Sequence, residues 1–108
     1  MKKIKEADIQ REIMKVLRLR GCLVFKHRNV GIYKKSTGKF IPLSYGEVGI
    51  SDIIGLTKSG RFLAIEVKSK GKKPSKEQLE FIEKVKEKKG IAFWTDNLDD
   101  VIQLKELK

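Results

Sequence analysis

The chain has 108 residues, and 25 Lys and Arg against 14 Asp and Glu give it a formal net charge of +11. A chain of this length fills one hydrophobic core but not two, so one domain over 1–108 is expected. No apolar run approaches the roughly 20 residues of a membrane span, the start lacks the apolar core of a signal peptide, and the charge excess favours a polyanionic partner over no partner at all. Lysine outruns glutamate too far for a surface that is only solubilising. The single Cys22 cannot form an internal disulfide, so a reducing cytoplasm is expected, either the cell's own or, for a phage or viral protein, the host's.

The first predicted element is a helix over 6–20, where Ile9, Ile13, Val16 and Leu17 recur at helical spacing and Gly21 supplies the stop. Glu6 and Gln10 lie one turn apart and share a face. Glu6 also reads as a favourable first-turn acid and Gln10 as a surface residue; Glu12 points elsewhere. A strand over 22–26 follows, with Cys22 read as a buried thiol among Leu23, Val24 and Phe25. At its end, Lys26, His27, Arg28 and Asn29 suit phosphate contact better than metal ligation, because one histidine without cysteine partners cannot build a zinc site. A weaker strand pair near Ile32-Tyr33 and Phe40-Ile41, around Ser36-Thr37-Gly38, forms a small basic flap.

Next comes a hairpin whose turn, Lys58-Ser59-Gly60, has the composition of a type I turn ending on a glycine with positive φ. Centred on Ser59, that turn sets Asp52 directly opposite Glu66, with Cβ atoms about 5 Å apart on one face. Two like charges at that separation repel by roughly 3 kcal/mol at an effective dielectric near 20. A divalent cation between them turns the repulsion into coordination. In the second strand the odd positions Leu63, Ile65 and Val67 are apolar, whereas the even positions run Phe62, Ala64 and then Glu66 and Lys68. One face is therefore core throughout, and the other is core at its start and charged at its end. Asp52 shares its row with Ile50, Ile54 and Leu56, which an incidental surface ion pair between Glu66 and Lys68 would not explain.

A linker over 70–74 carries Lys70, Lys72 and Lys73, further candidates for phosphate contact. The helix after it is expected to bury Leu79, Ile82 and Val85 and to end at Gly90. Ser75 and Gln78 form a candidate capping box worth about 1 kcal/mol. The segment 91–95 reads as a buried strand containing Phe93 and Trp94, with base stacking by these rings the lesser reading. Asn97, with Asp100 three residues on, is expected to cap a last helix bearing Val101, Ile102, Leu104 and Leu107. The alternation predicts an α/β sandwich around a mixed sheet, in the order roughly αβββαβα.

Helix, Gly-x-x-Asp, strand, Glu-x-Lys and then a helix with an early glutamine is an order that resembles the PD-(D/E)XK nuclease superfamily, and within it the VRR-NUC family. The motifs are Glu6-Ala7-Asp8-Ile9-Gln10, Arg28-Asn29-Val30-Gly31, Gly49-Ile50-Ser51-Asp52, Glu66-Val67-Lys68 and Ser75-Lys76-Glu77-Gln78. Each is short and weakly specific; their order and spacing together are more so. Ser51 stands where the family usually has proline, a residue that stiffens the strand entry and ligates nothing. The resemblance implies a restriction-endonuclease-like core and assigns Asp52, Glu66, Lys68 and Gln78 to catalysis. It makes Glu6 a candidate to complete the metal shell, Gln10 a matching position on the same helix face, and Gln78 an active-site residue as well as a cap.

Asp52, Glu66, the carbonyl of Val67 and waters form the all-oxygen shell preferred by Mg²⁺ or Mn²⁺. The expected activity is metal-dependent hydrolysis of DNA phosphodiesters, with Lys68 stabilising developing charge. No recognition helix or finger is evident, so backbone and shape are the expected mode of reading. The resemblance further implies a homodimer acting on branched DNA such as four-way Holliday junctions, with a place in DNA repair, and Ile41, Leu43 and Tyr45 are candidate interface residues. The rival reading is a non-catalytic basic nucleic-acid-binding module, which has no need for Asp52 facing Glu66.

Overall fold

A computed structural model describes residues 5–27, 31–34, 36–42 and 49–107. Arg28, Asn29, Leu43 and Tyr45 lie outside the described residues, as does the side chain of Ile41. Helix α1 (Glu6–Leu19) leads through Gly21, at φ +84°, into strand β1 (Leu23–Lys26). Strands β2 (Gly31–Lys34) and β3 (Lys39–Pro42) form a separate antiparallel hairpin. They are followed by β4 (Ile53–Leu56), β5 (Phe62–Val67), helix α2 (Lys76–Glu87), β6 (Ile91–Thr95), the short helix α3 (Asp99–Gln103) and a 3₁₀ turn at Lys105–Leu107.

The main sheet runs β1-β4-β5-β6, antiparallel up to β5 and parallel between β5 and β6. A parallel pair needs a crossover, which α2 supplies. The period-2 alternation of β5 divides the interior into two cores. Leu63, Ile65 and Val67 pack with Ile9, Ile13, Met14 and Leu17 of α1, while Ala64 packs with Ala92 of β6 and with Ile82 and Val85 of α2. The fold is therefore α/β, a mixed sheet flanked by helices, as expected. The C-terminal segment folds back on the α1 side through Val101 and Leu107, and both terminal nitrogens of the Arg20 guanidinium donate at 3.0 Å to the carbonyls of Val101 and Ile102. Among the described residues, no helix is long and apolar enough to cross a membrane.

Several expectations are corrected. Cys22 is buried as expected, but Leu23 and Phe25 are exposed, because side chains alternate along β1 and only Cys22 and Val24 of this group join the α1-side core. Helix α2 buries Ile82 and Val85 with Phe81 packed against them, while Leu79 is 43% exposed. Phe62 is also exposed, so the even face of β5 becomes core at Ala64. The cap of α3 is Leu98. The Asn97 carboxamide instead accepts from the Asp99 N–H at 2.7 Å, and the Thr95 hydroxyl donates to the Asp100 carboxylate and the Asn97 carbonyl.

Candidate active site

The turn that sets the hairpin register forms as its composition implies. Gly60 takes φ +90° and its N–H donates to the Thr57 carbonyl at 2.9 Å. The ladder that results pairs Ile53 with Ile65 and Ile54 with Ala64. One residue beyond this ladder, Asp52 and Glu66 meet, and Asp52 Oδ2 accepts the backbone N–H of Val67 at 3.0 Å. That bond fixes the rotamer of Asp52. On the other side of Asp52, its carbonyl accepts the backbone N–H of His27 at 2.7 Å, which ties the acid to the end of β1.

Glu66 is only 1% exposed. Neither of its carboxylate oxygens has a hydrogen-bond donor among the described residues; the adjacent Asp52 carboxyl can share a bond with it only when one of the two acids holds a proton. Burial first, and then the hydrogen bond and charge of Asp52, push the Glu66 carboxyl up from 4.5 to about 9. Lys68 opposes the shift, being two residues along the same face, and Glu6 adds to it more weakly. The Lys68 backbone is held by its N–H donating to the Thr95 carbonyl at 2.9 Å, which continues the β5–β6 ladder.

The unsatisfied oxygens are of the kind that a divalent cation would bind. Among the described residues, the buried side-chain polar atoms without partners are both Glu66 oxygens, Gln10 Oε1 and Ser51 Oγ. All belong to the motif segments of α1, the Asp52 loop and β5. A buried acceptor without a donor costs about 1–3 kcal/mol, more when charged, so a fold that keeps these acceptors is suited to a ligand that accepts oxygen lone pairs. Mg²⁺ and Mn²⁺ do so, and Mg²⁺ typically takes one or two carboxylates, completing its shell with waters and substrate phosphate. A site built on one carboxylate pair meets that need: no group of three or more His, Cys, Asp or Glu side chains converges among the described residues. Glu6 is thus within electrostatic reach of Glu66 without closing a three-acid cluster. Gln10, open to a surface reading from sequence, is buried.

Helix α2 packs against this end of the sheet. Ser75 Oγ accepts the Gln78 N–H at 3.2 Å and Gln78 Oε1 accepts the Ser75 N–H at 2.8 Å, so the capping box is complete and Gln78 Oε1 is occupied by it. The Nε2 amide of Gln78 is left out of the box. Gly49, at φ +90°, sits directly on this turn: a Cβ there would lie 2.4 Å from the Glu77 carbonyl oxygen. The glycine thus allows the Asp52 loop and the start of α2 to touch. Lys26, Lys70, Lys72 and Lys73 are exposed and His27 is half-buried; Lys26 and His27 lie at the end of β1 next to Asp52, and the other three follow Lys68 along the chain.

An α/β fold with two acids and a lysine gathered at the ends of adjacent strands is the architecture of a nuclease domain. The family model for the VRR-NUC domain matches residues 4–95, and the chain belongs to that family of nuclease domains. A solved structure described as a VRR_NUC domain superposes with a TM-score of 0.68, covering 94% of each chain at 22% identity, a likeness of fold. No curated protein sequence matches the chain.

Proposed function

We propose that this chain is a metal-dependent endodeoxyribonuclease that hydrolyses phosphodiester bonds in branched DNA, four-way junctions among them, and that it works as a homodimer. The observation that carries the hydrolytic reading is the buried Glu66 carboxylate, without donors and facing Asp52. Asp52, Glu66 and the Val67 carbonyl, with Glu6 nearby on α1, would hold Mg²⁺ or Mn²⁺. Bound there, the ion would neutralise charge on the scissile phosphate and lower the pKa of a water.

The protein's own groups have separable tasks. The Val67 N–H holds one oxygen of Asp52 and so leaves the other directed at the site. Lys68 offers a compact cation on a flexible stem to the developing negative charge. The Gln78 amide lies at the turn that touches the Asp52 loop, where it can orient a phosphate or water. Gln10 is a further polar group at the site, and Lys26, His27, Arg28, Asn29, Lys70, Lys72 and Lys73 supply phosphate contacts.

Two features support branched DNA. The sequence carries no recognition-helix or finger motif, so shape and backbone are the expected signals. A two-fold dimer would also set two sites on opposing strands of a two-fold symmetric junction. The test is cleavage of end-labelled four-way, flapped, nicked and plain duplex DNAs with Mg²⁺, with Mn²⁺ and with chelator, alongside light scattering. Paired nicks in the junction by a species of twice the 12.4 kDa chain mass are expected. Binding without cleavage in either metal would leave a non-catalytic module, and junction cleavage by a monomer would remove the dimer.

A further inference from the structure

The buried acids do not account for Trp94, the protein's single tryptophan. From sequence it reads as a core residue of β6, yet it is 37% exposed, whereas Ile91, Ala92 and Thr95 of the same strand are buried. Its place in the register is specific: β5 and β6 are parallel, and Trp94 is paired with Glu66. Paired residues on parallel neighbours project to the same face of a sheet. Ala64 and Ala92, paired one step earlier, both pack into the α2-side core. Two residues on, Glu66 and Trp94 therefore project to that same side. Among the described residues β6 has a neighbouring strand on one side only, and the indole stays partly open to solvent.

We infer that the Trp94 indole is a stacking surface for an unpaired base beside the phosphate to be cut, and so a specificity-determining residue for DNA that is locally open. This inference rests on the nuclease reading of the same site. An indole has a large flat π-face that any base can cover, and such stacking tolerates sequence while requiring that the base be free of its helix. Lys68, two residues after Glu66, and the exposed Lys70, Lys72 and Lys73 give the backbone of such a strand a positive track at this end of the sheet. Fully paired duplex keeps its bases stacked on one another and has none to offer. A junction, flap or gap does.

Because Trp94 is the only tryptophan, its emission reports stacking without interference. The experiment titrates the wild-type chain, in chelator so that nothing is cut, with a labelled single strand, a gapped duplex, the same gapped duplex with abasic sites in the gap, and a blunt duplex. Label anisotropy follows binding, and tryptophan emission follows stacking. The expected result is strong quenching by the single strand and the gapped duplex, and little by the blunt or abasic DNAs even where anisotropy shows them bound. Trp94→Ala should weaken single-strand binding by about 5- to 150-fold, and Trp94→Phe should recover most of it. Binding without quenching, or equal quenching by blunt and abasic DNA, overturns the stacking role and leaves the nuclease reading intact. Failure to bind any of the DNAs overturns both.

Discussion

The carboxylate pair makes the metal-free protein sensitive to pH through one residue, and Glu66→Gln tests this. The folded protein holds the Glu66 proton up to about pH 9, against 4.5 for the ordinary carboxyl, chiefly because the group is buried and then because Asp52 is beside it. Between those values the folded state binds a proton that the unfolded state has released. Stability from this source is complete below the unfolded value and is lost as pH rises towards 9, at up to about 1.4 kcal/mol per pH unit for one proton. Two units, from pH 6 to 8, cost about 3 kcal/mol, which for a chain of this size lowers Tm by about 12 °C or more. Scanning calorimetry in chelator should show that fall for the wild type and a much flatter profile for Glu66→Gln, whose amide carries no titrating proton. Millimolar Mn²⁺ should raise the wild-type Tm most at the alkaline end, since metal binding must displace the proton. Parallel losses of stability in the two proteins between pH 6 and 8 would show that Glu66 is already charged in the folded, metal-free state, and would refute the argument.

Asp52→Asn, Glu66→Gln and Lys68→Ala should each lower junction cleavage by about a hundredfold or more in single-turnover assays while leaving DNA binding mostly intact. In Asp52→Asn the carboxamide oxygen can still accept the Val67 N–H, so circular dichroism should show a folded protein that has lost its Tm response to Mn²⁺. Gly49→Ala combines a positive φ with a Cβ 2.4 Å from the Glu77 carbonyl oxygen, whereas Gly60→Ala has the same φ and open space; urea unfolding should cost Gly49→Ala clearly more than the roughly 1–2 kcal/mol expected of the backbone conformation alone. Duplex affinity should fall with salt by about 0.9 logarithmic units per unit of log salt for each phosphate neutralised, and a flat profile in fluorescence anisotropy would argue against a basic docking margin.

The parts of the fold that sequence makes legible are those fixed by local chemistry. Ser59 and Gly60 determine a turn, the turn determines a register, and the register alone brings Asp52 to Glu66. Ser75 and Gln78 likewise declare a helix start by their spacing. What stays hidden depends on which elements become edges. Leu23, Phe25 and Trp94 have the composition of core strands, and only the sheet order shows that β1 and β6 are the outer strands of the four-stranded sheet among the described residues. The rotation of α2 is hidden for a related reason: Leu79 and Phe81 are both apolar near the same turn, and the packing of Ala64 and Ala92 against Ile82 and Val85 decides that Phe81 turns inward. Gln10 is a different case: the sequence leaves a place beside Glu6 and a surface place both open, and the fold buries it.

Ala64 and Ala92 are the smallest side chains beneath α2, and their size sets how low the helix rides on the sheet. A larger residue at either position would lift the helix like a shim under a beam. Because the first turn of α2 rests on Gly49, the displacement would be passed to the loop carrying Asp52. Two buried methyl groups, neither of them part of the acidic site, thereby support the loop that carries Asp52 from beneath α2, and offer a handle on that loop that leaves Asp52, Glu66 and Lys68 unaltered.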